Sequence, residues 1–108
     1  MGTLSTHVLD TSAGRPAEGI AVALRDHRGR VLDQGETDTD GRIGAIGPER
    51  LAPGDYSLRF DTAAYFTGSG TTGFYPEVTI AFTIADAGQH YHVPLLLNPF
   101  GYSTYRGS

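Results

Sequence analysis

Apolar residues recur at every second position in short runs along this chain, and glycine, proline, asparagine or aspartate closes each run. Such alternation is the mark of a β-strand, whose successive side chains point to opposite faces of a sheet. Helical periodicity is nearly absent. The first run spans Leu4 to Leu9, and Asp10 to Pro16 reads as a loop in which Gly14 supplies a positive φ. Ile20, Val22 and Leu24 form the next inward face, and Asp26-His27-Arg28-Gly29 turns the chain into Val31 to Thr37, predicting a hairpin. Turns at Asp38 to Gly41 and at Pro53-Gly54 frame a short run from Arg42 to Ile46 and introduce a strand with Tyr56, Leu58 and Phe60 inward.

Asp61 is placed to cap one short helix over Thr62 to Phe66, with Gly68 to end it and Gly68 to Gly73 as a loop. The cleanest strand follows, with Val78, Ile80, Phe82 and Ile84 alternating with Thr79, Ala81 and Thr83. Beyond Asp86-Ala87-Gly88 the chain runs from Gln89 to Leu97, turns at Asn98-Pro99 and returns through Gly101 to Tyr105. Pro94 has no N–H for a ladder, which predicts either an edge strand or a position turned away from its neighbour. About eight strands in 108 residues predict a single all-β domain over 1–108, a sandwich of two four-stranded sheets with one short helix. Leu95 to Leu97, beside Phe100 and Tyr102, offers more apolar surface than two packed faces need, so a two-fold homo-oligomer is expected.

Composition narrows the chemistry. The net charge is -4 and the chain has no lysine, which argues against a polyanionic partner such as nucleic acid. Absence of cysteine excludes disulfides, thiolate catalysis and zinc–thiolate sites. No run approaches the roughly 18 apolar residues of a membrane span, and Met1 to His7 lacks the basic start and apolar stretch of a secretory signal, so no membrane partner and a cytoplasmic location are expected.

Two histidines fall on strands, His7 in the first and His92 in the penultimate one. Imidazole exchanges protons near neutrality, so two that converge can run general acid–base chemistry, whereas a single one judged alone reads first as a polar residue on a solvated face. Arg42, just after the Asp40-Gly41 turn, carries a planar five-donor fork suited to carboxylates and oxygen-rich heterocycles, though taken alone it reads first as a surface arginine after a turn. His27 in a turn and His90 at a strand's start are left outside the group. Zinc on His7, His92 and His90 is conceivable, but no close histidine spacing supports it. Neither a phosphate-cradling glycine loop before a helix nor a Gly-x-Ser-x-Gly elbow is present.

Ser5 to Ala17, Thr37 to Arg42, Phe74 to Val78 and His90 to Ser108 occur in the order found in 5-hydroxyisourate hydrolases, the enzyme branch of the transthyretin family, which the chain resembles over nearly its whole length. The ending Tyr105-Arg106-Gly107-Ser108 is the most specific element, being similar to the tetrapeptide that separates these hydrolases from hormone-carrying transthyretins. Asn98 departs from the commoner serine but suits a turn before proline.

The resemblance implies a homotetramer with clefts where subunits meet, and opening of the 5-hydroxyisourate ring to 2-oxo-4-hydroxy-4-carboxy-5-ureidoimidazoline without a metal or redox cofactor. It implies His7, Arg42 and His92 as catalytic residues and Tyr105 and Ser108 as substrate-binding ones, with Arg106 anchoring the terminus. Two alternatives stand beside it: a non-enzymatic carrier of the transthyretin kind, and a structural β-sandwich module, which Thr37 to Gly41 followed by Pro53 to Tyr56 also resembles.

Overall fold

A computed structural model of the chain describes residues 3–107. The strands are β1 (Leu4–Asp10), β2 (Arg15–Pro16), β3 (Ala21–Asp26), β4 (Val31–Glu36), β5 (Arg42–Ile43) and β6 (Gly54–Phe60). After helix α1 (Thr62–Gly68) come β7 (Val78–Ile84), β8 (Tyr91–Asn98) and β9 (Gly101–Thr104). They form two sheets, as the alternation predicts: β4-β3-β6-β7 in one, and β2-β1-β8-β9 with β5 added beside β1 in the other. The second sheet has five strands where four are expected, because the two-residue strands β2 and β5 fold back on β1.

The inward positions are those the pattern marks. Val22, Leu24, Leu58, Phe60 and Val78 from one sheet meet Leu4, Val8, Leu95 and Leu97 from the other in a buried core. Leu95 and Leu97 are therefore core residues, and the apolar surface expected beside them is aromatic instead. Phe74 and Phe100 are 69% and 71% exposed, and Phe74, Tyr75 and Tyr102 stack edge to face in series.

Strand β8 does not lie at an edge, since β1 runs parallel to it on one side and β9 antiparallel on the other. The ladder to β9 covers Leu95 to Asn98, breaks, and resumes as an isolated bridge between His92 and Gly107. Pro94 sits in this gap, where its missing N–H leaves no ladder bond unmade.

The helix extends past its expected end: Ser69 is the C-cap, and the residue with positive φ is Gly70. Asp61 caps the N-terminus as expected, accepting from the Ala64 N–H at 3.3 Å. Tyr65 on this helix donates its hydroxyl to Asp10 Oδ2 at 2.7 Å, tying α1 to the end of β1. Burial pushes the Tyr65 phenol up to about 12, reinforced by the Asp10 carboxylate. Burial also opposes ionisation of Asp10, yet bonds from Tyr65, the Ala13 N–H and Ser12 hold its carboxyl below the usual range. No described helix is long and apolar enough to cross a membrane.

Candidate functional site

The site grows from the outward face of the central pair β1 and β8. Along β1, Leu4, Thr6 and Val8 are buried, so Ser5, His7 and Leu9 point the other way. Along β8, Tyr91, Val93, Leu95 and Leu97 face the core, which puts His92 on the same outer surface as Ser5 and His7. The parallel register sets Ser5 beside His92 and His7 beside Pro94. On the other flank, the antiparallel pairing of β5 sets Arg42 directly opposite His7. Three strands distant in sequence thus bring His7, Arg42 and His92 to one face.

The turn that delivers Arg42 is built by backbone bonds. Asp38 Oδ1 accepts from the Asp40 and Arg42 N–H groups, each at 2.9 Å, and the Gly41 N–H donates to the Asp38 carbonyl. Gly41 has φ +73° and lies so near β1 that a Cβ there would approach the Val8 carbonyl oxygen to 2.4 Å. Only glycine meets both conditions.

His92 Nδ1 lies 2.7 Å from Ser5 Oγ, which lies 3.0 Å from His90 Nε2. Thr3 Oγ1 bonds the remaining His90 nitrogen, Nδ1. Ser5 is thus a bridge between two imidazoles, and His90, expected outside the group, is joined to it. No hydrogen bond from His92 Nε2 is found among the described residues, which leaves that nitrogen for a ligand. Burial holds the His92 imidazolium below its ordinary range, helped by the Arg42 guanidinium and then by His7 and His90. His92 is neutral at pH 7 and can accept a proton.

A polar hollow of about 250 Å³ is lined by Ser5, Arg42, His90 and His92. A more apolar one of about 310 Å³ lies on the far side of His92, among Ile80, Phe82, Tyr91, Tyr105 and Arg106. The charged and titratable side chains Arg42, His90 and His92 converge on the polar hollow. Among the described residues, no three histidines or carboxylates are grouped to hold a metal ion.

The chain end packs onto His92. The Gly107 N–H donates to the His92 carbonyl at 2.9 Å, and a Cβ on Gly107 would stand 2.5 Å from His92 Cδ2. The ring therefore rests against bare backbone. Arg106 stacks over Tyr91 at 4.5 Å and donates to Gln89 Oε1 at 2.9 Å, which anchors the tail as expected. Tyr105 is 59% exposed beside the apolar hollow, and Ser108 lies outside the described residues. His27 is exposed in its turn, away from the group. Sequence reasoning misses Ser5, His90 and Gly107; the paired histidines of His90-Tyr91-His92 were the available signal for His90.

Comparison with known proteins gives a consistent relationship. The chain is 49% identical to the 5-hydroxyisourate hydrolase of Salmonella typhimurium over 109 residues, covering 97% of this chain and 80% of the relative. Its fold is similar to that of Klebsiella pneumoniae 5-hydroxyisourate hydrolase, with a TM-score of 0.90 and 42% identity over 98% of this chain and 99% of that one. Sea bream transthyretin in complex with thyroxine is similar in fold as well, with a TM-score of 0.89 and 32% identity over 97% of this chain and 94% of that one. Residues 4–107 match the transthyretin model described as the HIUase/Transthyretin family. Sheet topology, the residues on the outer face and these likenesses agree: the chain belongs to the HIUase/transthyretin family.

Proposed function

We propose that this chain hydrolyses 5-hydroxyisourate to 2-oxo-4-hydroxy-4-carboxy-5-ureidoimidazoline, a step of urate degradation, and does so as a homotetramer. The observation that carries the reading is the meeting of His7, Arg42 and His92 on one face, through the registers of β1 with β5 and β8. Opening a cyclic acyl amide with water requires a base, a cation for the developing oxyanion and an acid for the leaving nitrogen. On this face His92 is the candidate base and, once protonated, the acid, Arg42 is the cation, and His7 stands beside them.

His92, kept neutral by burial and by Arg42, takes a proton from water at Nε2. Arg42 holds the substrate's urea-like oxygens and stabilises the charge that develops at the attacked carbonyl, often the larger contribution. His7, opposite Arg42, assists delivery of a proton to the ring nitrogen as its C–N bond breaks. Tyr105 and Ser108 orient substrate across a subunit boundary. The exposed Phe74, Phe100 and Tyr102 support burial of this surface against another copy. Water alone balances the reaction, so no cofactor is invoked.

The identity of 42% to the Klebsiella pneumoniae hydrolase, against 32% to a transthyretin in complex with thyroxine at nearly equal TM-score, supports catalysis over carriage. Replacing His92 with Asn tests the role of its ring. Assayed on 5-hydroxyisourate made in place from urate and urate oxidase, His92→Asn should lose at least about 100-fold in kcat, the low end of acid–base contributions, while keeping its assembly by sedimentation. Undiminished turnover would remove His92 from the chemistry.

A further inference from the structure

Proton abstraction by His92 raises an electrostatic problem, because the imidazolium it forms would sit beside Arg42 and His7 on a partly buried face. The hydrogen-bonded side chains behind the ring offer a way out. Ser5 is only 8% exposed, and the two partners of its hydroxyl are His92 Nδ1 at 2.7 Å and His90 Nε2 at 3.0 Å. A hydroxyl has one proton to donate, so between two ring nitrogens it gives to one and accepts from the other. The direction of the chain Thr3–His90–Ser5–His92 can therefore reverse as a unit. Of the two imidazoles, His90 is the exposed one.

We propose that Ser5 and His90 form a proton relay that moves the positive charge from His92 to the solvent-facing His90 during ring opening; this rests on the hydrolase reading. At the start, His92 Nδ1–H donates to Ser5 Oγ, the Ser5 hydroxyl donates to His90 Nε2, and His90 Nδ1–H donates to Thr3. When His92 Nε2 takes a proton from water, its Nδ1 proton passes to Ser5 Oγ as the Ser5 proton passes to His90 Nε2. The charge now rests on His90 and His92 is neutral again. The remaining hydroxide bonds to the carbonyl carbon.

As the C–N bond breaks, His92 Nε2–H returns its proton to the leaving nitrogen. Ser5 gives its proton back to His92 Nδ1, and His90 Nε2–H refills Ser5. The three side chains are restored, and the other water proton leaves when the new carboxyl group ionises. Ser5 and His90 are positioning residues in this scheme, since they act through His92 and not on the reacting atoms. The groups facing His92 from its surroundings are Arg42, His7 and His90, with Tyr105 and Arg106 on its far side.

The test compares wild type with Ser5→Ala, His90→Asn and the double variant on 5-hydroxyisourate near pH 7, together with ring 15N NMR of His90 and His92. Each single variant should lose about tenfold in kcat, less than removal of the base itself, with KM held within about twofold. Because both changes cut one chain, the double variant should lose no more than either single one. In wild type the 15N signals of neutral His92 should report its proton on Nδ1, held there by Ser5, and in Ser5→Ala that preference should be lost. Single variants within about twofold of wild-type kcat, a loss confined to KM, multiplicative losses in the double variant or the same His92 tautomer with and without Ser5 would each overturn the relay. Inactive wild type would instead refute the hydrolase reading, and the relay with it.

Discussion

In the proposed mechanism two demands meet at His92, because a base must be neutral before it acts and must carry charge afterwards. Burial, reinforced by Arg42, His7 and His90, lowers its folded pKa below the ordinary 6.5. The neutral ring is therefore favoured by folding. Its contribution to stability is present above about pH 6.5 and is lost as pH falls through the lowered folded value. The same shift keeps the base competent in mildly acidic solution, placing the acid limb of kcat/KM below 6.5. Arg42→Gln removes the second cause of the lowering, so the limb should move upward toward 6.5 while kcat falls about 100-fold from lost oxyanion stabilisation. A pH–rate profile whose limb stays in place or moves downward would show that Arg42 does not act on His92.

Among the elements, the turn between β4 and β5 shows how much positioning rests on backbone geometry. Arg42 reaches His7 because Gly41 takes a left-handed conformation against the Val8 carbonyl. Gly41→Ala combines left-handed strain of about 1–2 kcal/mol with a backbone clash, so it should destabilise the fold by at least that amount and reduce activity by displacing Arg42. Denaturant unfolding and the coupled assay measure the two effects; unchanged values for both would contradict the positioning argument. The sequence displays this turn plainly, as Asp38-Thr39-Asp40-Gly41, and displays most strands through their alternation. It displays the ends less well. Helix α1 continues through Gly68 because Gly70 takes the left-handed turn, and β2 and β5 are too short to show a period.

Over the whole molecule, the parallel pairing of β1 with β8 makes the site, and nothing periodic reveals it. Ser5 and His92 are 87 residues apart, so their contact belongs to the closed sheet and not to either segment. His7, Arg42 and His92 were legible together only through a family likeness; Ser5 was not, because a serine in a strand carries no local mark, and His90 showed only as the second of two histidines flanking Tyr91. Gly107 is similar: its need for a bare Cα appears only when the tail lies on the His92 ring. The terminus, the central strands and the Arg42 turn thus form one structure around one face. The most direct measurement of what that face does follows the transient ultraviolet absorbance of 5-hydroxyisourate, freshly generated from urate, with and without the wild-type chain. Marked acceleration of its decay at catalytic protein concentrations is the predicted result; decay at the uncatalysed rate would contradict the account.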